Sequence, residues 1–282
     1  MNFDSLRTFL TIIETGSLAK AAHALNLTQS TITARLQQLE QETGQRLINR
    51  HRRGAQLTGA GLRLQRYAQT IEELWRQARQ EIAVPEGINT VCNLGCDPDL
   101  WPDLGEVLFR YIQTNQPQVA LSIWHGDSAV LSTWLDQGRI DLALSYSPAK
   151  TAAQTMRPLA EDTLRLYSTQ QNGPIIGDPG YVFVEAGEAF GRAHAAAYSY
   201  ADTARLNFGS ATLGLAHILE NGGSAYLPAR IAAKSAQDKA LHALKSAPVF
   251  HRPSFLVINE ASAARWPWFS DALSVLGIGA IE

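Results

Sequence analysis

The stretch from Ser17 to Glu40 constrains the fold of this chain more than any other part of its sequence. It predicts a short helix capped by Ser17, a tight turn at Asn26, and a longer helix capped by Thr28. The longer helix has apolar residues at i, i+4 and i+7, namely Ile32, Leu36 and Leu39. Residues at this spacing share one face, which is expected to be buried. The stretch therefore predicts a helix-turn-helix.

The opposite face of the longer helix is polar near its start. Its members have short or flexible side chains, namely Gln29, Ser30, Thr33, Ala34 and Gln37. Such side chains can reach base edges in the major groove of DNA without steric conflict. A merely solvated helix face has the same pattern, and periodicity alone gives the two interpretations similar weight.

Charge and a basic hairpin favour the DNA interpretation. Residues 47–50 and 55–57 predict two short strands, and the turn between them contains Arg52 and Arg53. A hairpin with a basic tip is typical of a wing that contacts phosphates or a minor groove. Residues 1–85 hold 11 Lys and Arg against 7 Asp and Glu, a net charge of +4, whereas the remaining residues hold 13 against 19, a net charge of −6. We therefore expect only the first part to meet a polyanion.

A long helix is predicted for residues 59–82. Its apolar residues alternate in steps of four and three, namely Leu64, Ala68, Ile71, Trp75, Ala78 and Ile82. This is a heptad pattern, and the helix would form a rod about 36 Å long. We expect its partner to be the same helix of a second chain. The residues that follow, Val84 to Gly87, break the helix and predict a hinge.

Four motifs in this order resemble the DNA-binding part of LysR-type transcriptional regulators: LRTFLTIIETGSLAKAA, LTQSTITARLQQLE, TGQRLINR and LTGAGLRL. The resemblance implies a winged helix-turn-helix in residues 1–58, with the helix-turn-helix at about 17–40 and the wing at about 46–58. It also implies a dimerisation helix at 59–83 and a hinge at 84–87. The implied function is sequence-specific regulation of transcription, with the recognition helix in the major groove.

The resemblance also implies partners and contact residues. The partners are double-stranded DNA with a partly palindromic operator and a second copy of the chain, in a homodimer or homotetramer, and RNA polymerase is a further candidate. The expected DNA contacts are Thr28, Gln29, Ser30, Thr33, Ala34, Arg35, Gln37, Arg50, Arg52 and Arg53. The family often has arginine or another large residue where this chain has Ala34, and Arg35 is the candidate to compensate.

Residues 88–282 predict an α/β fold, because strand-like and helix-like stretches alternate. Their order favours a parallel sheet covered by helices, with helices expected at Leu100–Thr114 and Ala261–Leu276. The layout is similar to the two-lobed, periplasmic-binding-protein-like effector domain of the same family. Lobe one is expected at about 88–160 and 249–282, and lobe two at about 161–248. The expected crossovers are Met156–Glu161 and Pro248–Ser254.

A cleft for a small ligand is expected where strands end and helices begin. The candidate residues are Cys96, Asp97, Asp99, His125, Asp127, Ser128, Ser145, Tyr146, Ser210, Thr212 and Tyr226. Helix capping is the favoured alternative for each of the aspartates, serines and threonines among them that begin a helix. An ordinary interior or surface histidine is favoured for His125. The sequence CDPD places carboxylates where an anion would be repelled, so we expect a neutral or cationic effector, or none.

Other classes of protein fit less well. The sequence contains no G-x-S-x-G, G-x-G-x-x-G or phosphate-loop motif and no metal-spaced cluster, so no catalytic residue, cofactor or metal is expected. Cys92 and Cys96 are expected to be buried thiols rather than a redox pair. A solute-binding protein would carry an export signal, and its absence together with the lack of a long apolar segment favours the cytoplasm. The remaining alternative is an architectural or ligand-independent DNA-binding protein with a vestigial effector cleft.

Overall fold

The computed structural model describes residues 2–51, 54–83, 85–149, 151–198 and 204–277. The chain forms two compact units, Met1–Val84 and Pro85–Glu282. The division between them falls where a proline and a glycine interrupt the helical pattern. None of the helices in the described ranges is long and apolar enough to cross a membrane.

The described residues of the first unit form four helices and a two-stranded hairpin. In chain order these are α1 (Phe3–Thr15), α2 (Leu18–Ala24), α3 (Gln29–Thr43), β1 (Ile48–His51), β2 (Gly54–Leu57) and α4 (Gly59–Ile82). Thr28 caps α3, as predicted, by accepting a hydrogen bond from the N–H of Thr31 at 3.2 Å. Ser17 lies at the start of α2 but makes no side-chain capping bond, so the prediction of a cap there is wrong. Asn26 has a φ of 53°, as its place in the turn predicts.

The core of the first unit lies between α1, α2 and α3. The predicted inward face of α3 is confirmed, since Ile32, Leu36 and Leu39 are buried. The buried side chains of α1 that join this cluster are Leu6, Phe9 and Ile12. Burial of one such side chain contributes about 1.5–3 kcal/mol. The cluster therefore fixes the orientation of α3 and turns its polar face outward.

Helix α4 has the predicted bounds, and Thr58 caps it by accepting a hydrogen bond from the N–H of Gly61 at 3.0 Å. The prediction that its whole apolar seam faces a second chain is wrong for the first half. Ala68 is fully buried in the core of the first unit, and Leu64 and Ile71 pack against the same core. Only the later seam remains open, where Ile82 is 79% exposed. The first half of the α4 seam therefore packs against α1 of the same chain, where the sequence pattern had predicted the α4 helix of a second chain.

The second unit contains eleven strands and seven helices in its described residues. In the first half these are β3 (Thr90–Cys96), α5 (Glu106–Asn115), β4 (Val119–His125), α6 (Ser128–Asp136), β5 (Leu142–Ser145), β6 (Gln154–Pro158), β7 (Asp162–Ser168), β8 (Tyr181–Val184) and α7 (Glu188–Ala197). The rest are β9 (Leu206–Phe208), α8 (Ala211–Asn221), β10 (Ser224–Pro228), α9 (Ala229–Gln237), β11 (His242–Ala243), β12 (Phe250–Arg252), β13 (Phe255–Asn259), α10 (Glu260–Ala263) and α11 (Phe269–Ser274).

These strands form two sheets, one in each lobe. The first has the order β4-β3-β5-β13-β6, and the second has the order β11-β7-β10-β8-β9 with β12 also paired to β7. The expectation of parallel strands is confirmed for β3, β4 and β5. It is wrong for the complete sheet, because β13 runs antiparallel to both β5 and β6. The two-lobed α/β architecture is as predicted, but its sheets are mixed.

Prolines account for two wrong helix predictions. The helix expected at Leu100–Thr114 begins only at Glu106, because Pro102 and Asp103 are not helical and form a kinked turn in Trp101–Gly105. Asp103 has a φ of 80° in this turn. The helix expected at Ala261–Leu276 is divided into α10 and α11 around Pro267.

The segments expected as crossovers contain strands. Met156 lies in β6, which pairs with β13, so the first crossover is reduced to residues 159–161. Strand β12, within the second expected crossover, still pairs with β7 of the second sheet. Residues 250–252 therefore belong to lobe two rather than to lobe one. Helix α9 was not predicted at all, although it follows directly after the end of β10.

Candidate nucleic-acid interface and inter-lobe cleft

The start of α3 presents an accessible polar surface. Five of its residues are exposed, namely Thr28, Gln29, Ser30, Ala34 and Gln37, and Thr33 is half-buried. The Thr28 hydroxyl lies 2.8 Å from the hydroxyl of Ser30, so the two form a local polar pair beside the helix start. The glutamine amides can both donate and accept hydrogen bonds, as readout of base edges requires.

Arg35 is directed away from this surface. Its guanidinium Nη2 lies 2.7 Å from Oδ2 of Asp4, so the side chain forms an ion pair with α1. Ala34 is exposed and small. Arg35 therefore supplies an intramolecular contact in this structure, and the surface at the start of α3 remains composed of short side chains and glutamines.

The hairpin that follows α3 is anchored through its backbone N–H groups, which donate hydrogen bonds to Glu40 and Gly16. Glu40 Oε1 accepts from the N–H groups of Leu47 at 2.8 Å and Ile48 at 3.2 Å, which holds β1 against α3. The N–H of Ala55 donates to the carbonyl of Gly16 at 2.9 Å, which holds β2 near the end of α1. Sequence reasoning did not identify the role of Glu40. The predicted contact residues Arg52 and Arg53, and the side chain of Arg50, lie outside the described residues.

Several cleft candidates in lobe one have ordinary structural roles. Asp127 is exposed and caps α6 by accepting from the N–H of Val130 at 2.8 Å. Ser128 Oγ accepts from Ser145 Oγ at 2.9 Å, which joins α6 to the end of β5. Cys96 is buried, as is Cys92, and burial raises the pKa of both thiols. His125 is exposed and its Nδ1 lies 3.3 Å from the Cys96 carbonyl oxygen.

Tyr226 lies inside lobe two rather than at a strand end, where the cleft was predicted. Strand β10 continues to Pro228, so Tyr226 lies within the strand rather than at its end. Its hydroxyl lies 2.6 Å from the hydroxyl of Tyr198 and donates to the carbonyl of Pro248 at 3.0 Å. It lines an aromatic pocket inside lobe two together with Tyr181, His194 and Tyr198.

Asp99 connects the two lobes through the start of α8. Asp99 is only 2% exposed. It accepts hydrogen bonds from the hydroxyl of Ser210 at 2.7 Å and from the N–H groups of Ala211 at 2.9 Å and Thr212 at 3.3 Å. The structure thus brings together three of the predicted cleft residues, namely Asp99 of lobe one with Ser210 and Thr212 of lobe two.

Arg230 makes a second connection between the lobes, and the sequence did not predict it. Its guanidinium forms a bidentate ion pair with Asp162, with Nε 2.6 Å from Oδ1 and Nη2 2.9 Å from Oδ2. It also donates to the backbone carbonyls of Pro102, at 2.7 Å, and Asp99, and to the hydroxyl of Tyr146 at 2.8 Å. The signal in the sequence that could have identified Arg230 was its position as a charged residue just beyond the end of the buried strand β10.

Arg252 and Asp97 complete the cleft. The guanidinium of Arg252 lies over the ring of Tyr146, 3.3 Å from its centroid, and its Nη1 is 3.9 Å from Asp99 Oδ2. Asp97 accepts from the N–H of Asp99 at 3.0 Å. Burial raises the pKa of Asp97 to about 6, although the backbone hydrogen bond and the nearby arginines oppose this shift. The cleft therefore contains three carboxylates and two guanidinium groups, all held by the chain itself.

The described part of the chain contains no cluster of three or more His, Cys, Asp or Glu side chains that could hold a metal ion. The arrangement at Asp99 and Arg230 is a network of hydrogen bonds and ion pairs. Its partners come from both lobes, so it can hold the lobes in a fixed relation.

Comparison with known proteins places these surfaces in context. Residues 3–62 match the family model described as bacterial regulatory helix-turn-helix protein, lysR family. The chain is 29% identical over 260 residues to the HTH-type transcriptional regulator HdfR of Escherichia coli O139:H28, with 91% of each chain covered. Among solved structures, CbnR complexed with its target DNA aligns with a TM-score of 0.69, 20% identity and coverage of 98% of this chain and 99% of that one. Vibrio fischeri DarR in complex with DNA aligns with a TM-score of 0.60, 17% identity and 98% coverage of each chain.

Proposed function

We infer that this chain belongs to the LysR family of bacterial transcriptional regulators, and that it regulates transcription by placing α3 in the major groove of specific DNA sites. The observation that carries this proposal is the exposed polar surface at the start of α3, within the part of the chain that matches the family model. The buried opposite face fixes the helix, so these side chains project from a rigid support.

The proposed division of roles follows from the chemistry of the side chains. Gln29 and Gln37 read base edges, because a primary amide can donate and accept at the same base. Ser30, Thr33 and the Thr28 hydroxyl contact phosphates or bases at the helix start. The arginines of the hairpin tip contact the sugar-phosphate backbone and contribute affinity for any sequence. The small side chain of Ala34 leaves space in the major groove that a larger side chain at this position would fill.

We propose that two copies associate through the open end of α4. Leu74, Trp75 and Ile82 are exposed there, and apolar side chains in this arrangement favour helix pairing. Two recognition helices in a symmetric dimer would read a partly palindromic operator whose half-sites lie one or more helical turns apart, at about 34–36 Å per turn. Further association to a tetramer and contact with RNA polymerase belong to the same proposal.

The proposed role is regulatory rather than catalytic. Its relatives are transcriptional regulators, and DNA binding accounts for the surface of α3 without any reaction. The cytoplasm is the proposed place of action, because the operator is there.

The test is genome-wide mapping of binding sites followed by footprinting with the purified full-length protein. We expect a limited set of promoters that share a partly palindromic sequence, and protection of both half-sites in the footprint. Binding spread evenly over the genome, with no shared sequence, would contradict the proposal and favour an architectural role.

A further inference from the structure

The start of α8 offers backbone N–H groups that can receive an anion. The first N–H groups of a helix have no partner within the helix, and the helix dipole favours negative charge there. In this chain the position is already filled by Asp99, whose two carboxylate oxygens receive the N–H of Ala211 at 2.9 Å each. The hydroxyl of Ser210 and the N–H of Thr212 complete the set.

We propose that Asp99 is a built-in ligand, a carboxylate that occupies the anion position of α8 and thereby excludes small carboxylates from the cleft. The inference concerns the specificity of the second unit alone. It does not depend on DNA binding, so its failure would leave the proposed function intact.

The first argument is burial. A carboxylate that is 2% exposed loses nearly all of its hydration, which is costly unless hydrogen bonds replace the lost water. Three donors from lobe two do so, at 2.7–3.3 Å. A second anion could reach the same donors only by displacing the Asp99 carboxylate from them, at the cost of these hydrogen bonds.

The second argument is that the segment carrying Asp99 is fixed from the other lobe. Arg230 donates to the backbone carbonyls of Asp99 and Pro102, both in the kinked approach to α5. Arg230 is in turn held by its bidentate pair with Asp162. These two hydrogen bonds to carbonyl oxygens fix the turn. They therefore hold the Asp99 carboxylate at the start of α8.

The third argument is the charge of the site. Asp97, Asp99 and Asp162 outnumber the two guanidinium groups of Arg230 and Arg252, and each arginine lies close to at least one of these acids. No excess positive charge is present among these groups to attract an incoming anion. The charged groups of this site therefore already have partners within the chain itself.

The experiment measures thermal unfolding of the full-length protein in sodium formate, sodium acetate and, at equal ionic strength, sodium chloride, with acetamide as a neutral analogue. The variants are Asp99→Ala, Asp99→Asn and Asp127→Ala. Asp127 provides a matched control because it also caps a helix of the second unit, but it is exposed and acts within one lobe. Asp99→Asn fills the same volume without the charge.

We expect the unchanged protein to melt at the same temperature in formate and chloride. Asp99→Ala should melt about 10 °C lower in chloride, since a buried pair loses one partner, and should recover part of that loss in formate with saturation. Acetamide should give no recovery. Asp127→Ala should show a small loss and no recovery, and Asp99→Asn should not respond to formate because its side chain still fills the position.

The proposal is overturned if formate stabilises the unchanged protein with saturation, or if folded Asp99→Ala shows no recovery. It is also overturned if Asp99→Asn responds as strongly as Asp99→Ala, because the position is then not filled by residue 99. If Asp99→Ala yields soluble protein only in formate, that supports the proposal. If it yields none in either salt, the unchanged protein and Asp99→Asn decide the question.

Discussion

Gln29 is the residue whose proposed role in DNA readout is most directly testable. It is exposed at the first turn of α3. Gln29→Ala should reduce discrimination at one base pair by about 1–3 kcal/mol and leave binding to unrelated DNA nearly unchanged. The measurement is a competition assay over single-base variants of the operator.

Gln41→Ala serves as its matched control, since Gln41 is exposed near the other end of α3. The control should bind all operator variants like the unchanged protein. An equal loss of affinity for every sequence in Gln29→Ala would assign this residue to backbone contact instead.

Asp97 gives the second unit a stability that depends on pH. Burial raises its pKa to about 6 in the folded state, above the ordinary value of 3.8, while Asp99, Arg230 and Arg252 face the same carboxyl. The folded protein therefore holds this proton more tightly than the unfolded chain does. Its contribution to stability is fully present below about pH 4 and is lost as pH rises through 6.

Asp97→Asn should accordingly be more stable than the unchanged protein above pH 6, by a few kcal/mol, and similar to it at pH 4. The asparagine can still accept the backbone hydrogen bond of Asp99. Free energies of unfolding of both proteins, measured from pH 4 to 8, test this. A difference that stays constant over that range would show that the proton on Asp97 is not responsible.

At the scale of elements, α4 has two halves with different expected roles. Ile71→Ala should lower the free energy of unfolding by about 1–3 kcal/mol, because Ile71 packs against the core of the first unit. Ile82→Ala should leave folding nearly unchanged and raise the dissociation constant of the dimer, because this side chain is 79% exposed. Denaturant unfolding and analytical ultracentrifugation separate the two effects. Equal dissociation constants for Ile82→Ala and the unchanged protein would place the dimer contact elsewhere.

Elements with local signals could be predicted from the sequence. The inward face of α3, the cap at Thr28 and the bounds of α4 follow from spacing and short-range chemistry, and each is confirmed.

Elements that depend on long-range pairing could not be predicted in the same way. Whether Ala68 faces α1 or a second chain is decided by tertiary packing, and a heptad pattern is the same in both cases. Asp99 was identified at the cleft, but its partners are more than 100 residues away in the chain. The role of Glu40 in holding the hairpin and that of Arg230 in joining the lobes depend on contacts that no spacing rule indicates.

At the scale of the whole molecule, the charge is unevenly distributed along the chain. The net charge of +4 in residues 1–85 contrasts with −6 in the rest, so affinity for DNA should fall steeply as salt rises. Arg53→Ala should weaken binding to all sequences and reduce the slope of log K against log salt by about 1. Titrations of specific and unrelated DNA at several salt concentrations measure this. An unchanged slope would exclude Arg53 from phosphate contact.

The Asp99 carboxylate belongs to the same chain as the helix that it caps. A group tethered in this way acts at an effective concentration in the millimolar range or above, whatever the composition of the solution. Free carboxylates at lower concentrations would therefore compete poorly for α8. If Asp99 is such a built-in ligand, Asp99→Ala would convert a second unit that does not bind small carboxylates into one that does, whereas Asp99→Asn would not.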